Sequence, residues 1–225
     1  MHRPEWLKGW KQQGEMYVAA EQSFAQGQGV DRFREVYDAL KSWKIGRRGV
    51  VKDPRWVWNR LAGINPELSR RRLSRVRRSD WGLIIDAVDS MKDVKTGQKP
   101  SLMAISKFLH FFNPRLFVIC DREVVDEFVF GHQWLRRLRD AVGSRTFEES
   151  GIDVPEWMKD YLSLLALASE TLRENPGIMR AFADWVKDIP GTETHPRDVT
   201  SFEATAIERF LIGLAELPPA RAQVT

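Results

Sequence analysis

The amino-acid sequence predicts an all-α protein built as a helical bundle. Apolar residues recur at the three- and four-residue spacing of amphipathic helices through most of the chain, and no stretch shows the long alternation of a half-buried strand. With 225 residues, of which 43% are hydrophobic, the chain is long enough to bury a core. We therefore expect one helical domain over residues 1–225, or two helical lobes with the active site between them.

Breaks in the helical pattern separate the predicted elements. Pro54 is placed to open a short helix and Gly63 to end it, and Asp80 is placed to cap a later one. Asn-Pro at 113–114 and at 175–176 stops a helix, because the residue before proline is pushed out of the α region. Turns or loops are predicted at 93–99, 144–154 and 190–200, and a disordered tail at 217–225. The predicted helices cover residues 15–26, 30–45, 54–62, 66–78, 80–92, 101–112, 121–130, 132–142, 155–173, 176–189 and 201–215.

Cysteine, histidine and hydropathy patterns argue against several classes of protein. One cysteine excludes a disulfide framework and a cysteine-rich zinc site. The four histidines show no ligand spacing, so we expect neither a metal nor another cofactor. The N-terminus has no apolar stretch of signal-peptide length, and no run is long enough to span a membrane. A reducing cytoplasm is therefore the expected location.

Positive charge is concentrated in one part of the chain. Between Lys44 and Asp80 there are twelve Lys or Arg residues and three acids, which gives +9. The whole chain carries only +4, so the remainder carries −5. An asymmetry of this kind indicates a polyanionic partner, such as a nucleic acid.

Six arginines without an intervening acid lie within nine residues, on the helix predicted for 66–78. A solvated helix face usually mixes charges of both signs, so we expect phosphates to compensate this one. The alternative is an ordinary solvated surface. Such binding would be to the nucleic-acid backbone and would not read sequence. The candidate DNA-binding arginines are Arg47, Arg48, Arg70, Arg71, Arg75, Arg77 and Arg78.

An apolar helix, an Asn-Pro break, a short apolar run and an acid follow one another between Pro100 and Val125. The helix over residues 101–112 has an apolar face and a narrower stripe that carries Met103, Ser106, Lys107 and His110. After Asn113-Pro114, the apolar run 116–120 is expected to enter the core and to hold Asp121 at its rim. Asp121 is thus the candidate catalytic carboxylate, and its alternative role is a plain helix N-cap.

This order of elements resembles the core of the helix-hairpin-helix DNA glycosylases. In that superfamily a hairpin and a helix lead to a catalytic aspartate in a D-x-x-V context, which Asp121 and Val124 match here. The resemblance covers only this part of the chain, and the turn at 93–101 has Gly97 alone where the family's hairpin reads L-P-G-x-G. It implies a helix-hairpin-helix glycosylase-like fold, with Gly97 and Lys99 among the DNA-binding residues.

The resemblance also implies a reaction class. Bifunctional members carry a nucleophilic lysine where this chain has Met103, and Lys107 comes one helical turn later, so the chain resembles a monofunctional glycosylase that uses water. The implied partner is double-stranded DNA with one flipped nucleotide, and neither a membrane nor a protein partner is implied. The chain also resembles bacterial phage-defence glycosylases that remove glucosylated cytosine, which suggests a modified base as substrate.

Other roles remain open for several of these residues. Met103, Ser106, Lys107, His110 and Asn113 are candidates for contact with the substrate, whereas Lys107 could be a surface lysine, His110 a structural histidine and Asn113 a turn cap. The competing function is a non-catalytic nucleic-acid-binding protein, in which Asp121 would only cap a helix. A metal-dependent nuclease is disfavoured, because no acidic cluster has ligand spacing.

Overall fold

The computed structural model describes residues 4–24, 27–42, 50–97, 99–121, 125, 129–187 and 198–215, with the backbone alone for 4–11. The described chain is all-α, as predicted, and its one β feature is an isolated antiparallel bridge between Val51 and Lys95. Short 3-10 helices connect several of the α-helices. The α-helices are α1 Pro4–Phe24, α2 Gly29–Leu40, α3 Pro54–Ala62, α4 Asp80–Ser90, α5 Leu102–Phe112, α6 Gln133–Ser150, α7 Lys159–Glu174, α8 Gly177–Lys187 and α9 Glu203–Ala215.

Local capping chemistry sets the bounds of α3, as the sequence predicted. Asp53 Oδ1 accepts hydrogen bonds from the backbone N–H groups of Arg55 and Trp56, both at 3.0 Å, and Pro54 occupies the first turn. Gly63 follows the last helical residue. The bounds of α5 also agree with prediction to within one residue, because Asn113-Pro114 cannot continue the helix.

The sequence-based bounds of α1 and α6 were wrong. Helix α1 begins at Pro4 instead of residue 15 and runs through Gly9 and Gly14. Helix α6 continues to Ser150, through more than half of the predicted loop 144–154, before Gly151 ends it in the left-handed conformation at φ +64°. Phe147 in that last part packs edge-on against Trp81, with ring centroids 5.4 Å apart. Tertiary packing thus extends a helix that its polar sequence does not mark.

The single helix predicted over residues 66–78 was also wrong. Two 3-10 helices, Pro66–Arg70 and Leu73–Arg75, lie there with extended residues between and after them. The backbone bonds to other elements instead: Leu73 N donates to the Arg115 carbonyl at 2.8 Å, and Ser74 N donates to Glu203 Oε2 at 2.7 Å. Six arginines on one short α-helix would repel one another, and these contacts replace the helical ones. We call residues 66–78 the arginine segment.

Capping by Asp80 also differs from the prediction. Asp80 is the first residue of α4 and Ser79 precedes it. The Asp80 carboxylate accepts a hydrogen bond from Arg77 N at 2.9 Å, which closes the end of the arginine segment onto the start of α4. Predicted helix 121–130 lies largely outside the described residues, although Val125 N donates to the Asp121 carbonyl at 2.7 Å.

Buried apolar side chains from every described α-helix join one connected core. Helix α5 contributes the fully buried Ile105, Phe108 and Leu109, and α7 is buried along most of its length. Helices α6 and α7 approach closely where Gly143 meets Ser163. Whether the chain is one domain or two lobes stays a prediction, and residues 217–225 lie outside the described part.

In the described part of the chain, no helix combines the length and the apolar character that crossing a membrane requires.

Candidate active site

The apolar run 116–120, which we call the return segment, is buried, and side chains of two helices bond to its backbone. A ring nitrogen of His110 bonds to the Phe117 carbonyl at 2.7 Å, and Tyr161 donates its hydroxyl to the Val118 carbonyl at 3.1 Å. Cys120 N donates to Ser106 Oγ at 2.9 Å. Buried backbone groups need hydrogen-bond partners, and these side chains supply them where no helix or sheet does. They fix the chain on its way to Asp121.

The hydrogen-bond partners of His110 determine which of its two ring nitrogens carries the proton. Its Nδ1 faces the Phe117 carbonyl, which can only accept, so Nδ1 carries the proton and Nε2 accepts from the Tyr17 hydroxyl at 2.7 Å. Gln13 donates to the same hydroxyl at 2.8 Å, and Thr205 lies 3.1 Å from it. Burial lowers the pKa of His110 to about 4. His110 is therefore a neutral, internally bonded residue at neutral pH.

Asn113 joins the end of α5 to the arginine segment. Its Nδ2 donates to the carbonyls of Leu68 at 2.6 Å and Arg71 at 2.9 Å, and its Oδ1 accepts from Arg115 N at 2.9 Å. Only 2% of Asn113 is exposed. Ser106 and His110 are completely buried. Of the stripe of candidate substrate contacts, Ser106, His110 and Asn113 therefore bind the protein's own backbone, while Met103 is half-buried in the first turn of α5.

Lys107 and Asp121 form an ion pair at the end of the return segment. Lys107 Nζ lies 2.8 Å from Asp121 Oδ2, and the exposed fractions of the two side chains are 6% and 24%. A nearly buried ammonium needs a carboxylate partner, because the desolvation of an isolated charge is expensive. The pair holds the Asp121 carboxylate in one place while part of it still reaches solvent.

Glu208 on α9 is a third charged residue at this site, and sequence analysis missed it. Two contacts bring the start of α9 close to the end of α5: Ala204 N donates to the Pro114 carbonyl, and Thr205 meets Tyr17 beside His110. Glu208 follows Thr205 by one turn, so it lies on the side of α9 nearest to Lys107. The charged pair Glu208-Arg209 inside an otherwise apolar helix was the available sequence signal.

The charges that affect the Glu208 carboxyl agree with its position near Lys107. Burial raises the pKa of the Glu208 carboxyl, the adjacent Arg209 opposes this rise, the negative charge of Asp121 adds to it and Lys107 lowers it. Asp121 and Glu208 therefore share the field of one ammonium group, that of Lys107. A site of this composition can hold a carboxylate fixed beside a second carboxyl that retains a proton more readily than usual.

Two arginines of the arginine segment hold the fold together. Arg71 lies 3.1 Å from Oδ1 of the buried Asp80 and 3.4 Å from Oε2 of Glu67. Arg72 lies 3.8 Å from Glu203, which also accepts from the N–H and the hydroxyl of Ser74. Arg71 was predicted to bind DNA, and its guanidinium is instead engaged by acids that α4 and the segment itself supply.

The other predicted DNA-binding residues lie at the surface or outside the described chain. Four exposed arginines have no acid within ion-pair distance among the described residues, and we call them the exposed arginine group: Arg70, Arg75, Arg77 and Arg78. Gly97 and Lys99 are exposed in the turn before α5. Arg47, Arg48 and Val124 fall outside the described residues.

The spacing between Lys107 and Asn113 indicates how far the arginine segment lies from Asp121 along the axis of α5. Asn113 binds the arginine segment, and Lys107 binds Asp121 six residues earlier on the same helix. Six residues correspond to about 9 Å along a helix axis. The arginine segment and Asp121 thus contact the same part of the chain about 9 Å apart along the α5 axis.

Among the described residues, no group of three or more His, Cys, Asp or Glu side chains is arranged to hold a metal ion. No protein-family model matches this chain, and neither the curated proteins nor the solved structures contain a match.

Proposed function

We propose that this chain is a monofunctional DNA glycosylase in which Asp121 is the catalytic carboxylate. The observation that carries the proposal is the position of Asp121. It follows the buried return segment, Lys107 Nζ lies 2.8 Å from its Oδ2, and 24% of its side chain is still exposed. A carboxylate that is fixed yet accessible suits the stabilisation of a developing positive charge.

The reaction would be hydrolysis of the N-glycosidic bond of a flipped nucleotide. The bond between C1′ and the base nitrogen breaks, the base leaves with its bonding electrons, and positive charge develops on the sugar. Asp121 stabilises that charge and orients a water molecule, which adds to C1′ and gives its proton to the carboxylate. The departing base takes up a proton from solvent, so a free base and an abasic site result.

The ion pair of Lys107 supports water as the nucleophile. A lyase lysine must present a free amine to C1′, whereas Lys107 Nζ lies 2.8 Å from Asp121 Oδ2 in an ion pair. The proposed substrate class is a modified base, with glucosylated hydroxymethylcytosine the specific candidate, and the proposed setting is defence against phage. The proposed fold is a helix-hairpin-helix glycosylase-like bundle, and the proposed partner is double-stranded DNA in the cytoplasm.

A non-catalytic nucleic-acid-binding protein is the second candidate function. The exposed arginine group favours it, because four surface cations without acid partners among the described residues explain phosphate binding and require no chemistry. In that case the Lys107–Asp121 pair has only a structural role.

An excision assay separates the two functions. DNA duplexes carrying uracil, oxidised, alkylated, hydroxymethylated or glucosylated bases are incubated with the protein and then treated with hot alkali. Strand breaks that appear only after alkali, and no covalent product on borohydride treatment, are expected for a monofunctional glycosylase. Asp121→Asn should abolish the breaks and retain DNA binding.

Asp86→Asn is the matched control, since Asp86 is an exposed aspartate on α4. It should excise at the wild-type rate. Excision by a folded Asp121→Asn protein at the wild-type rate would rule out the mechanism. The absence of breaks on every duplex, together with tight binding, would favour the non-catalytic function.

A further inference from the structure

A surface cleft of about 260 Å³ lies where α6, α7 and the end of the arginine segment meet. Its floor is apolar and comes from Val76, Trp81 and Ala166, each less than 8% exposed. The three floor residues belong to three different parts of the chain. The cleft is therefore formed by the tertiary fold and does not depend on a single loop.

Three arginines line this cleft, and they also come from three different parts of the chain. Arg78 ends the arginine segment, Arg145 lies on α6 and Arg173 lies on α7. Arg145 is held by Glu170, which also lines the cleft. Arg78 and Arg173 are exposed and have no acid within ion-pair distance among the described residues.

The charges that line the cleft leave a net value of +1, from three arginines against Glu149 and Glu170. Converging guanidinium groups without sufficient acid repel one another and favour an anion between them. One phosphodiester carries one negative charge, so it balances the cleft, whereas a nucleoside di- or triphosphate would bring a large excess. The arginine fork also matches two phosphate oxygens at once.

The position of the cleft connects it with the exposed arginine group, because Arg78 belongs to both. Helix α7 further relates the cleft to the return segment: Tyr161 bonds to Val118, and Ser169 lines the cleft eight residues later. Eight residues correspond to about 12 Å of helix, or roughly three to four nucleotide steps of duplex DNA at about 3.4 Å each.

We propose that this cleft binds a backbone phosphodiester of a nucleic-acid strand through Arg78 and Arg173, with Arg145 held in place by Glu170. A strand bound at the cleft would also contact the exposed arginine group, because Arg78 belongs to both. This inference rests on the nucleic-acid partner of the proposed function and not on its chemistry. A protein that binds DNA through the cleft but excises nothing would therefore contradict the glycosylase proposal alone.

The test is the double variant Arg78→Gln/Arg173→Gln, with a fluorescein-labelled 20-base-pair DNA duplex as the probe. Anisotropy titrations between 50 and 200 mM salt should show about a tenfold loss of affinity and a salt slope lower by about one to two units. Both arginines are exposed, so the fold should be retained, and circular dichroism checks this.

The matched control is Arg137→Gln/Arg180→Gln, which removes the same charge from exposed positions on α6 and α8. Its affinity should stay within twofold of wild type. Equal losses in both double variants would overturn the proposal, because net charge alone would then explain them. Unchanged DNA binding, combined with lost thermal stabilisation by inorganic phosphate, would also overturn it and would assign the cleft to a free anion.

Discussion

Lys107 and Asp121 are fourteen residues apart in the chain, and Lys107 Nζ lies 2.8 Å from Asp121 Oδ2. The pair is asymmetric, because the lysine side chain is 6% exposed and the aspartate side chain 24%. The aspartate side chain is therefore the more accessible of the two. Removing the aspartate therefore leaves a nearly buried ammonium without its partner, whereas removing the lysine leaves a partly exposed carboxylate.

We expect Asp121→Asn to destabilise the protein more than Lys107→Met. The first variant leaves a nearly buried ammonium with weaker compensation and should cost about 2 kcal/mol or more, although Glu208 nearby limits the loss. The second replaces the lysine by an apolar chain of similar length and should cost less than about 1 kcal/mol. Urea unfolding at pH 7 measures both, and the reverse order would contradict the asymmetry.

The buried His110 should make stability depend on pH. Its pKa falls from 6.5 in the unfolded chain to about 4 in the fold, because burial opposes the charged form. The unfolded state therefore binds more protons between these values, and the stability from neutral His110 is complete above pH 6.5 and is lost as pH falls towards 4. The loss amounts to about 3 kcal/mol.

The comparison that isolates this effect uses His110→Asn. Its Nδ2 can still donate to the Phe117 carbonyl, but the variant has no group that titrates in this range. It should be less stable than wild type at pH 7, and the difference should shrink as pH falls to 4.5. Parallel stability curves for the two proteins would show that His110 does not supply the dependence.

The exposed arginine group should control the salt dependence of DNA binding. Replacing Arg70, Arg75, Arg77 and Arg78 by Gln should flatten the slope of log K against log salt by about three to four units, close to 0.9 per phosphate contact. Binding isotherms at several salt concentrations measure the slope.

Arg72→Gln serves as the comparison, because Arg72 lies 3.8 Å from the buried Glu203. It should lower stability and change the slope by less than one unit. A slope that changes with Arg72 and not with the other four would reverse the assignment of structural and binding arginines.

The contact between α6 and α7 should tolerate no side chain at Gly143. A Cβ there would lie 2.1 Å from Ser163 Oγ and 3.0 Å from Ser163 Cα, so the helices would have to separate. We expect Gly143→Ala to lower the free energy of unfolding by about 1–3 kcal/mol despite its better helix propensity. Thermal and urea unfolding measure the change.

Gly82→Ala on α4 is the control, because an added Cβ there meets nothing within 4 Å. It should stabilise the protein by about 0.5–1 kcal/mol. The double variant Gly143→Ala/Ser163→Gly should recover part of the loss. A stabilising Gly143→Ala would contradict the close approach of the two helices.

Local signals predicted several elements well, and the reasons are visible in the structure. Pro54, Asp53 and Gly63 fix α3 through contacts within a few residues, and Asn113-Pro114 ends α5 in the same way. The extent of α6 failed, because its last turns depend on Phe147 meeting Trp81, which is distant in the chain. Arginine spacing likewise suggested an α-helix over the arginine segment. Its backbone instead takes another conformation, because it forms hydrogen bonds to Arg115 and Glu203.

The helical class, the concentration of positive charge and the placement of Asp121 after an apolar run follow from local features of the chain, because periodicity, composition and proline act over a few residues. Which polar residues serve the fold depends on contacts between elements that are distant in the chain. His110, Ser106 and Asn113 bond to backbone groups that other elements bring to them. Glu208 comes close to Lys107 and Asp121 because the tertiary fold brings the start of α9 to the end of α5. No local spacing encodes such an approach.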